Sequence, residues 1–561
     1  MNRTERRRQA KLTAKSPTPA KTAFTKQLLE EAINHHRAGR LSQAETCYQQ
    51  ILTQAPAHAD ALHLLGLVAY QQAQYERALD CITKAVQCES TKPLYFYNLG
   101  LVHQKLNQLP EAESAYRQAL SLKGDYIEAL GNLGNVLREK GELDEACETY
   151  KQVLTIKPDH PEGYNNLGVV LKEQGRKEEA WDAYQRAIAL NPANAEAHYN
   201  LGVILFEDDR LDEAIVRFRQ AVSIKPQYAK AHHHLGLALL WKQDMDGALH
   251  GLRTSAHLLQ NHGKAVRIDA LHTSRIKHDA DQIHYLAERG LLGQPDTGYQ
   301  TTLTTLRERA SGEENQRINL SQEEARALAP SLNRILHYAD NPALPQGALN
   351  PELNVEEIER RYNASQPEII YIDTLLRSEA LAALQQFCRE STIWKKDYED
   401  GYIGAFLGEG FSSPLLLQVA EELRTTFPGI FHQHRLLQAW AFKQDSARRP
   451  LKIHADAAAV NVNFWITPDD ANLDPASGGL IVWDKEAPRD WDFKVYNSTA
   501  FQPKIREFLN QSGASPVKVP YRANRALVFN SDLFHESDTC VFRDDYKSRR
   551  INITFLYGRR R

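Results

Sequence analysis

Four side chains near the C-terminal end of this chain have the types and spacing to do chemistry together. His454 and Asp456 stand two apart, so on an extended strand both point the same way. His535 follows at a distance, just past the apolar run Ala526–Phe529. Two imidazoles and one carboxylate can hold a divalent metal from one side and leave its other side open. Arg550 lies farther on, at the head of the run Arg550-Ile551-Asn552-Ile553-Thr554-Phe555.

That run alternates. Arg550, Asn552 and Thr554 share one face of a strand, and Ile551, Ile553 and Phe555 share the other. A polar stripe that begins with a guanidinium fits a closed interior holding a carboxylate, because arginine pairs with a carboxylate through two parallel N–H groups. Asn461 and Asn463 repeat the pattern between Val460, Val462 and Phe464. These amides either face a ligand or are satisfied within the sheet. Trp440 and Phe442, on the run Leu436–Lys443, read as core. His454, Asp456 and His535 would form the two-histidine, one-carboxylate facial triad of non-haem Fe(II) oxygenases.

The elements that must position these groups are short, aromatic or β-branched runs bounded by turn residues. They fall at 368–372, 436–443, 460–466, 479–483, 517–520, 526–529 and 551–557, with helices predicted over about 378–391 and 413–426. Helices followed by many short strands suggest a barrel or sandwich backed by helices. From about residue 366 to the end, the chain resembles the 2-oxoglutarate/Fe(II)-dependent dioxygenase superfamily. The resemblance rests on His454-x-Asp456, His535, Arg550, the Ser477-Gly478-Gly479-Leu480 turn and the Asn530–Glu536 segment. It implies a double-stranded β-helix (a cupin-like jelly roll), Fe(II) on His454, Asp456 and His535, O2 as oxidant, and 2-oxoglutarate paired with Arg550. Asn463 and Asn552 join Arg550 as candidates for contact with this cosubstrate. The Arg-x-Asn-x-Thr-Phe run is similar to that of the nucleic-acid demethylases of the superfamily, but Tyr557 stands where those carry a second arginine. Asp456 is a carboxylate where halogenating relatives have a small residue, which favours hydroxylation.

The N-terminal half carries a different signal. Gly66, Gly100, Gly134, Gly168, Gly202 and Gly236 recur every 34 residues, and Ala44, Ala78, Ala112, Ala146, Ala180, Ala214 and Ala248 keep the same step. Tyr or Phe follows the alanine by four in most copies. The pattern predicts an all-α solenoid of seven helix pairs over 25–258, and it resembles the tetratricopeptide repeat. Asn98, Asn132, Asn166 and Asn200 precede the Leu-Gly pair in four successive copies, with His234 in the next. They align down one face. The resemblance implies a concave groove in which such amides hold a peptide backbone; bridging between neighbouring repeats is the other reading of them. His232-His233-His234 reads as part of this surface.

The remaining stretches are a basic tail over 1–24, expected to be disordered, and a helical cap and linker over 259–365, with a loop at 293–298 and a capping box at Ser321 and Glu324. The net charge of −3 with 25% charged residues is ordinary soluble composition and gives no reason to expect a nucleic-acid partner. No apolar run is long enough to cross a bilayer. Six scattered cysteines without a Cys-x-x-Cys pair fit reduced thiols of a cytoplasmic protein. The expected whole is an oxygenase that hydroxylates a protein or peptide recruited by the repeats. Hydroxylation of a small metabolite, with the repeats used for assembly, and a non-catalytic scaffold are the alternatives.

Overall fold

The computed structural model describes residues 19–260, 268–292, 297–312, 316–398, 400–431, 434–444, 452–491 and 493–559. The basic residues of the tail up to position 18 and the loop at 293–296 lie outside them. The chain divides into two compact units, one ending at Ile204 and one beginning at Leu205.

Helix pairs build the first unit, and the 34-residue step explains their packing. Within each pair the glycine of the first helix lies against the ring or branched chain of the second. A Cβ at Gly134 would stand 2.7 Å from the Tyr150 ring, and Gly100, Gly168 and Gly66 are as close to Tyr116, Tyr184 and Ile82. Those partners are fully buried, so the rings cannot retreat. The turn between the helices has its own periodic demand. Gly39, Ala73, Asn107, Gly141, Gly175, Asp209 and Gln243, again 34 apart, all have positive φ. A residue in the left-handed region lets the first helix end and the chain reverse. Only three of the seven are glycine. The first helix, Pro19–Arg37, begins inside the stretch expected to be disordered, so residues 19–24 are helical.

The second unit holds the last repeat helices, among them Leu211–Ile224, Ala229–Trp241 and Met245–Leu258. They dock on the C-terminal strands: Trp241 Nε1 donates to the Leu436 carbonyl at 2.7 Å, and Asp209 pairs with Arg435 at 2.8 Å. The stretch expected to be a helical cap and linker carries the helix Thr273–Glu288 and two short strands. Strands β1 (Ala270–His272) and β2 (Arg317–Asn319) pair, and Leu271, Ile276, Ile283, Tyr299, Leu303, Leu306 and Leu328 form a core of their own. Its polar face is spent on contacts: Gln282 donates to the Arg389 and Ser391 carbonyls, and Glu422 accepts from the Ala348 and Leu349 amides. The Ser321–Glu324 capping box forms.

The rest of the second unit is built on two antiparallel sheets. The larger has the order β3 (Ile369–Ile372), β10 (Ala526–Asn530), β7 (Val460–Trp465), β12 (Arg550–Tyr557), β6 (Leu436–Gln444), β5 (Tyr402–Phe406) and β4 (Lys396–Asp397). The smaller is β11 (Leu533–Ser537), β8 (Leu480–Glu486) and β9 (Pro516–Val519). Trp465, Leu527 and Phe529 of the larger sheet share one core with Leu480, Val482, Val519 and Leu533 of the smaller. Register puts Thr554 opposite both Asn463 and Trp440, so Asn461, Asn463, Trp465, Arg550, Asn552, Thr554, Phe442 and Gln444 lie on one inner face. All eight residues of β12 are buried, because helices cover its other face, as when Tyr557 donates to the Ala420 carbonyl. There Lys443, wholly buried, donates to the Cys388 carbonyl at 3.0 Å and sits 4.3 Å over the Trp394 ring. Arg549, on the same outer side, pairs with Asp281.

Two substitutions test the repeat geometry. Ala73→Gly should raise the stability of the protein by about 0.5–1 kcal/mol, since alanine is strained at φ 58°. Gly134→Ala should lower it by about 1–3 kcal/mol despite alanine's better helix propensity, because the added methyl meets a ring with no room to move. Urea unfolding followed by helical circular dichroism measures both, and opposite signs are expected.

Candidate metal centre

Residues 452–459, which lie between two expected strands, form no regular strand beyond the isolated bridge at His454. They are held extended by other means. His454 forms an isolated antiparallel bridge with His535, the two exchanging N–H···O bonds of 3.0 and 2.8 Å. On the opposite edge, side-chain amides take the place of a neighbouring strand. Asn497 accepts from the Ala455 N–H and donates to the Ala455 carbonyl, and Gln502 does the same at Ile453. Asp456 is fixed by its own N–H, which donates to the Ser531 carbonyl.

This brings His535 onto His454 and Asp456, which come much earlier in the sequence. One ligand atom each from His454, Asp456 and His535 lies within 4.8 Å of the others. His535 Nε2 is 3.4 Å and His454 Nε2 is 4.0 Å from the Asp456 carboxylate. Both imidazoles are oriented from behind. His454 Nδ1 bonds the Lys452 carbonyl at 2.8 Å, and His535 Nδ1 bonds the Leu533 carbonyl at 3.0 Å. A carbonyl only accepts, so Nδ1 carries the proton and Nε2 presents a lone pair to the cluster. Three lone-pair donors then face one another, an arrangement that a cation relieves. The donor set of two imidazole nitrogens and a carboxylate oxygen fits a divalent transition metal.

Electrostatics agree. Burial, and then the neighbouring His535, push the His454 imidazole below its ordinary value of 6.5. Burial alone would raise the Asp456 carboxyl, but contacts with His535, His454 and Asn461 outweigh it and hold the group below its usual range. A cavity of about 480 Å³ opens on His454 and Asp456, walled by Tyr398, Tyr402, Phe406, Trp440 and Phe442. Trp440 and Phe442 therefore line a cavity instead of filling the core. Tyr402 and Phe406 belong to β5, which hydrophobic pattern alone did not reveal; the alternation of rings with Gly401 and Gly404 was the available signal.

Arg550 is 2% exposed, its Nε donating to the Gly478 carbonyl at 2.6 Å and its Nη atoms to Gly479 O and Gln444 Oε1 at 3.3 Å. Among the described residues no carboxylate pairs with this buried cation. Close to it, Gln444 Nε2 and Trp465 Nε1 are buried donors without a partner among the described residues. Asn463 and Asn552 are engaged with each other at 2.7 Å.

On the repeats, Asn98 bonds His63 at 2.8 Å, Asn132 donates to Tyr97 OH at 3.3 Å, and Asn200 donates to Asn165 at 2.9 Å, each partner 35 residues back. Three amides of the row thus bridge neighbouring repeats. At Asn166 the corresponding partner is Gly131, which has no side chain and open space around it, and among the described residues the Asn166 side chain accepts from Asn165. His234 bonds its own helix at Lys230 and lies beside Phe218. His233 is not a surface group of this row: its Nδ1 is buried against Gly408.

A family model described as "TPR repeat" matches residues 134–175, 170–209 and 204–243, and one described as "Anaphase-promoting complex, cyclosome, subunit 3" matches 37–119. The N-terminal region consists of tetratricopeptide repeats. Among solved structures, a tetratricopeptide repeat protein from Parabacteroides merdae is 16% identical, with 42% of this chain and 94% of that one covered and a TM-score of 0.38. PilF of Pseudomonas aeruginosa is 22% identical over 36% and 91%, with a TM-score of 0.32. YrrB, a tetratricopeptide-repeat protein described as having an unusual peptide-binding site, is 26% identical over 32% and 92%, with a TM-score of 0.26. No curated protein matches the chain. Among the described residues no helix is long and apolar enough to cross a membrane.

His454 is held below its ordinary value by burial and His535, and Asp456 below its own by contacts with His535, His454 and Asn461. Each should therefore keep its metal-binding form to lower pH than the free side chain, and lose it only as pH drops through the lowered value. Proton nuclear magnetic resonance of the His454 imidazole, titrated in the metal-free protein, measures this; protonation of His454 at or above the ordinary histidine value would contradict the assigned environment.

Proposed function

We propose that the C-terminal region is an Fe(II)- and 2-oxoglutarate-dependent oxygenase that hydroxylates a protein or peptide recruited by the repeats. The observation that carries this reading is the pairing of the His454–Asp456–His535 cluster with an uncompensated Arg550 on the same enclosed face. Fe(II), when bound with 2-oxoglutarate and O2, supplies the oxidation of an unreactive C–H bond. The chain supplies the rest. Nε2 of both histidines and the Asp456 carboxylate would hold the ion from one side, while the Nδ1 protons stay on backbone carbonyls and keep the rings from turning. Arg550 would pair with the distal carboxylate of the cosubstrate, in a setting dry enough for a charge pair to count. The aromatic wall at Tyr402, Phe406, Trp440 and Phe442 receives the group to be oxidised and keeps bulk water off it. Two antiparallel sheets sharing one core, with the cluster between them, suit the double-stranded β-helix expected from sequence.

Recruitment of a protein or peptide is supported by the repeats themselves and by Asn166, whose N–H donors remain open where Gly131 leaves a gap. The engagement of Asn98, Asn132 and Asn200 between repeats favours the second reading, in which the repeats serve assembly and the substrate is a small metabolite.

His535→Ala should abolish 2-oxoglutarate-dependent O2 consumption, and unchanged turnover would remove the proposal. Arg550→Ala should raise the KM for 2-oxoglutarate at least about 30-fold, since losing a dry charge-assisted pair costs on the order of 2–5 kcal/mol, while Mn(II) affinity stays near wild type. Arg549→Ala should leave that KM alone and instead lower thermal stability, because it removes the buried one of Asp281's two arginine partners, Arg549 and Arg307.

A further inference from the structure

The inner face of the larger sheet carries a chain of side-chain amides with one direction. Asn552 Nδ2 and Thr554 Oγ1 both donate to Asn463 Oδ1, at 2.7 and 2.8 Å. Asn463 Nδ2 donates to Asn461 Oδ1 at 2.5 Å, and Asn461 Nδ2 donates to Asp456 Oδ2 at 2.7 Å. All four residues of the chain are buried. An amide has distinct donor and acceptor ends, so each bond fixes the orientation of the next. With both lone-pair directions of Asn463 Oδ1 occupied, that amide cannot flip without leaving two donors facing an N–H. Asn461 is thereby obliged to turn its N–H toward Asp456.

We propose that this relay is a positioning device for the carboxylate ligand, with Asn461 as the positioning residue and Asn463, Asn552 and Thr554 setting its direction. This rests on the metal-centre reading above. It also gives Asn463 and Asn552 a task different from contact with the cosubstrate. Holding one carboxylate oxygen from behind stops Asp456 from rotating away from the two Nε2 atoms, and three aligned amides place their positive ends toward the negative charge. The bond to Ser531 fixes the Asp456 backbone, and the Asn461 N–H is what holds its carboxylate.

The test uses the full-length protein and Mn(II) alone, with free ion read by electron paramagnetic resonance. Asn461→Ala should weaken Mn(II) binding about 10- to 100-fold, the range found when an outer partner of a metal ligand is lost. The decisive variant is Asn463→Asp. It is nearly isosteric and still accepts from Asn552 and Thr554, but it has no N–H for Asn461, so the Asn461 amide turns its oxygen toward Asp456. The relay predicts weaker Mn(II) binding, whereas a simple added negative charge near a cation predicts tighter binding. Thermal unfolding without metal is the control, and both variants should unfold cooperatively near the wild-type midpoint. Asp456→Ala separates the two levels. If it loses Mn(II) while Asn461→Ala and Asn463→Asp bind as tightly as wild type or tighter, the relay is wrong and the metal centre stands. If Asp456→Ala itself binds Mn(II) like wild type, the metal centre is wrong. Should Asn461→Ala fail to fold, the direction of the Asn463→Asp effect alone decides.

Discussion

The two hydrogen bonds exchanged by His454 and His535 set the geometry of everything around the candidate centre. They join a segment without a strand of its own to the middle of β11, and so determine the separation of the two imidazoles. The ligand segment is gripped on its other edge by Asn497 and Gln502, whose side chains imitate a paired strand. A peptide group satisfied by a side chain is less cooperative than a ladder, because each clamp stands alone. The backbone at Ile453 and Ala455 is thus held by two side chains, both on the segment between β8 and β9. The covering helix Gln502–Gln511 is coupled to the centre through one of them.

The amide row on the repeats illustrates how one side-chain type serves two ends. An asparagine at a fixed place in each copy can reach back to the preceding copy or outward to a ligand. Which it does depends on what the preceding copy offers. His63, Tyr97 and Asn165 each offer a polar atom, and Gly131 offers none. The row is regular in sequence and irregular in use, and the irregularity comes from its neighbours.

Periodicity made much of the fold legible. The 34-residue step identified helix pairs because close approach demands glycine facing a ring, a requirement visible in single residues. Strands β6, β7, β10 and β12 stood out because they alternate or are flanked by turns. The metal candidates were legible because few residue types ligate and the spacing of His454 and Asp456 is tight. Strand β11 was not legible, although it contains His535, because Leu533–Ser537 mixes polar and apolar residues in five positions. In the helical cap and linker, strands β1 and β2 and their small core were not legible, because the apolar residues of that core are scattered among polar ones; Arg275 is buried against Asp279 four residues on, and Asp281 against Arg549 far along the chain. The amide relay needed the sheet register, since Asn461 and Asp456 meet around a bend and Asn552 reaches Asn463 from another strand.

Arg549 and Arg550 are neighbours with opposite surroundings. One lies against Asp281 on the helix-covered side of the sheet, and the other faces carbonyl oxygens on the inner side. A slip of β12 by a single residue would turn each to the other side. Shifted one way, Ile551 would take Arg550's place opposite Gln444 and the inner cation would be lost, although Arg550 would then meet Asp281. Shifted the other way, Arg549 would face inward and Ser548 would stand where Asp281 expects a guanidinium, leaving that carboxylate with Arg307 alone. Only the native alignment satisfies both sides at once, so the two adjacent arginines together act as a key for threading the last strand.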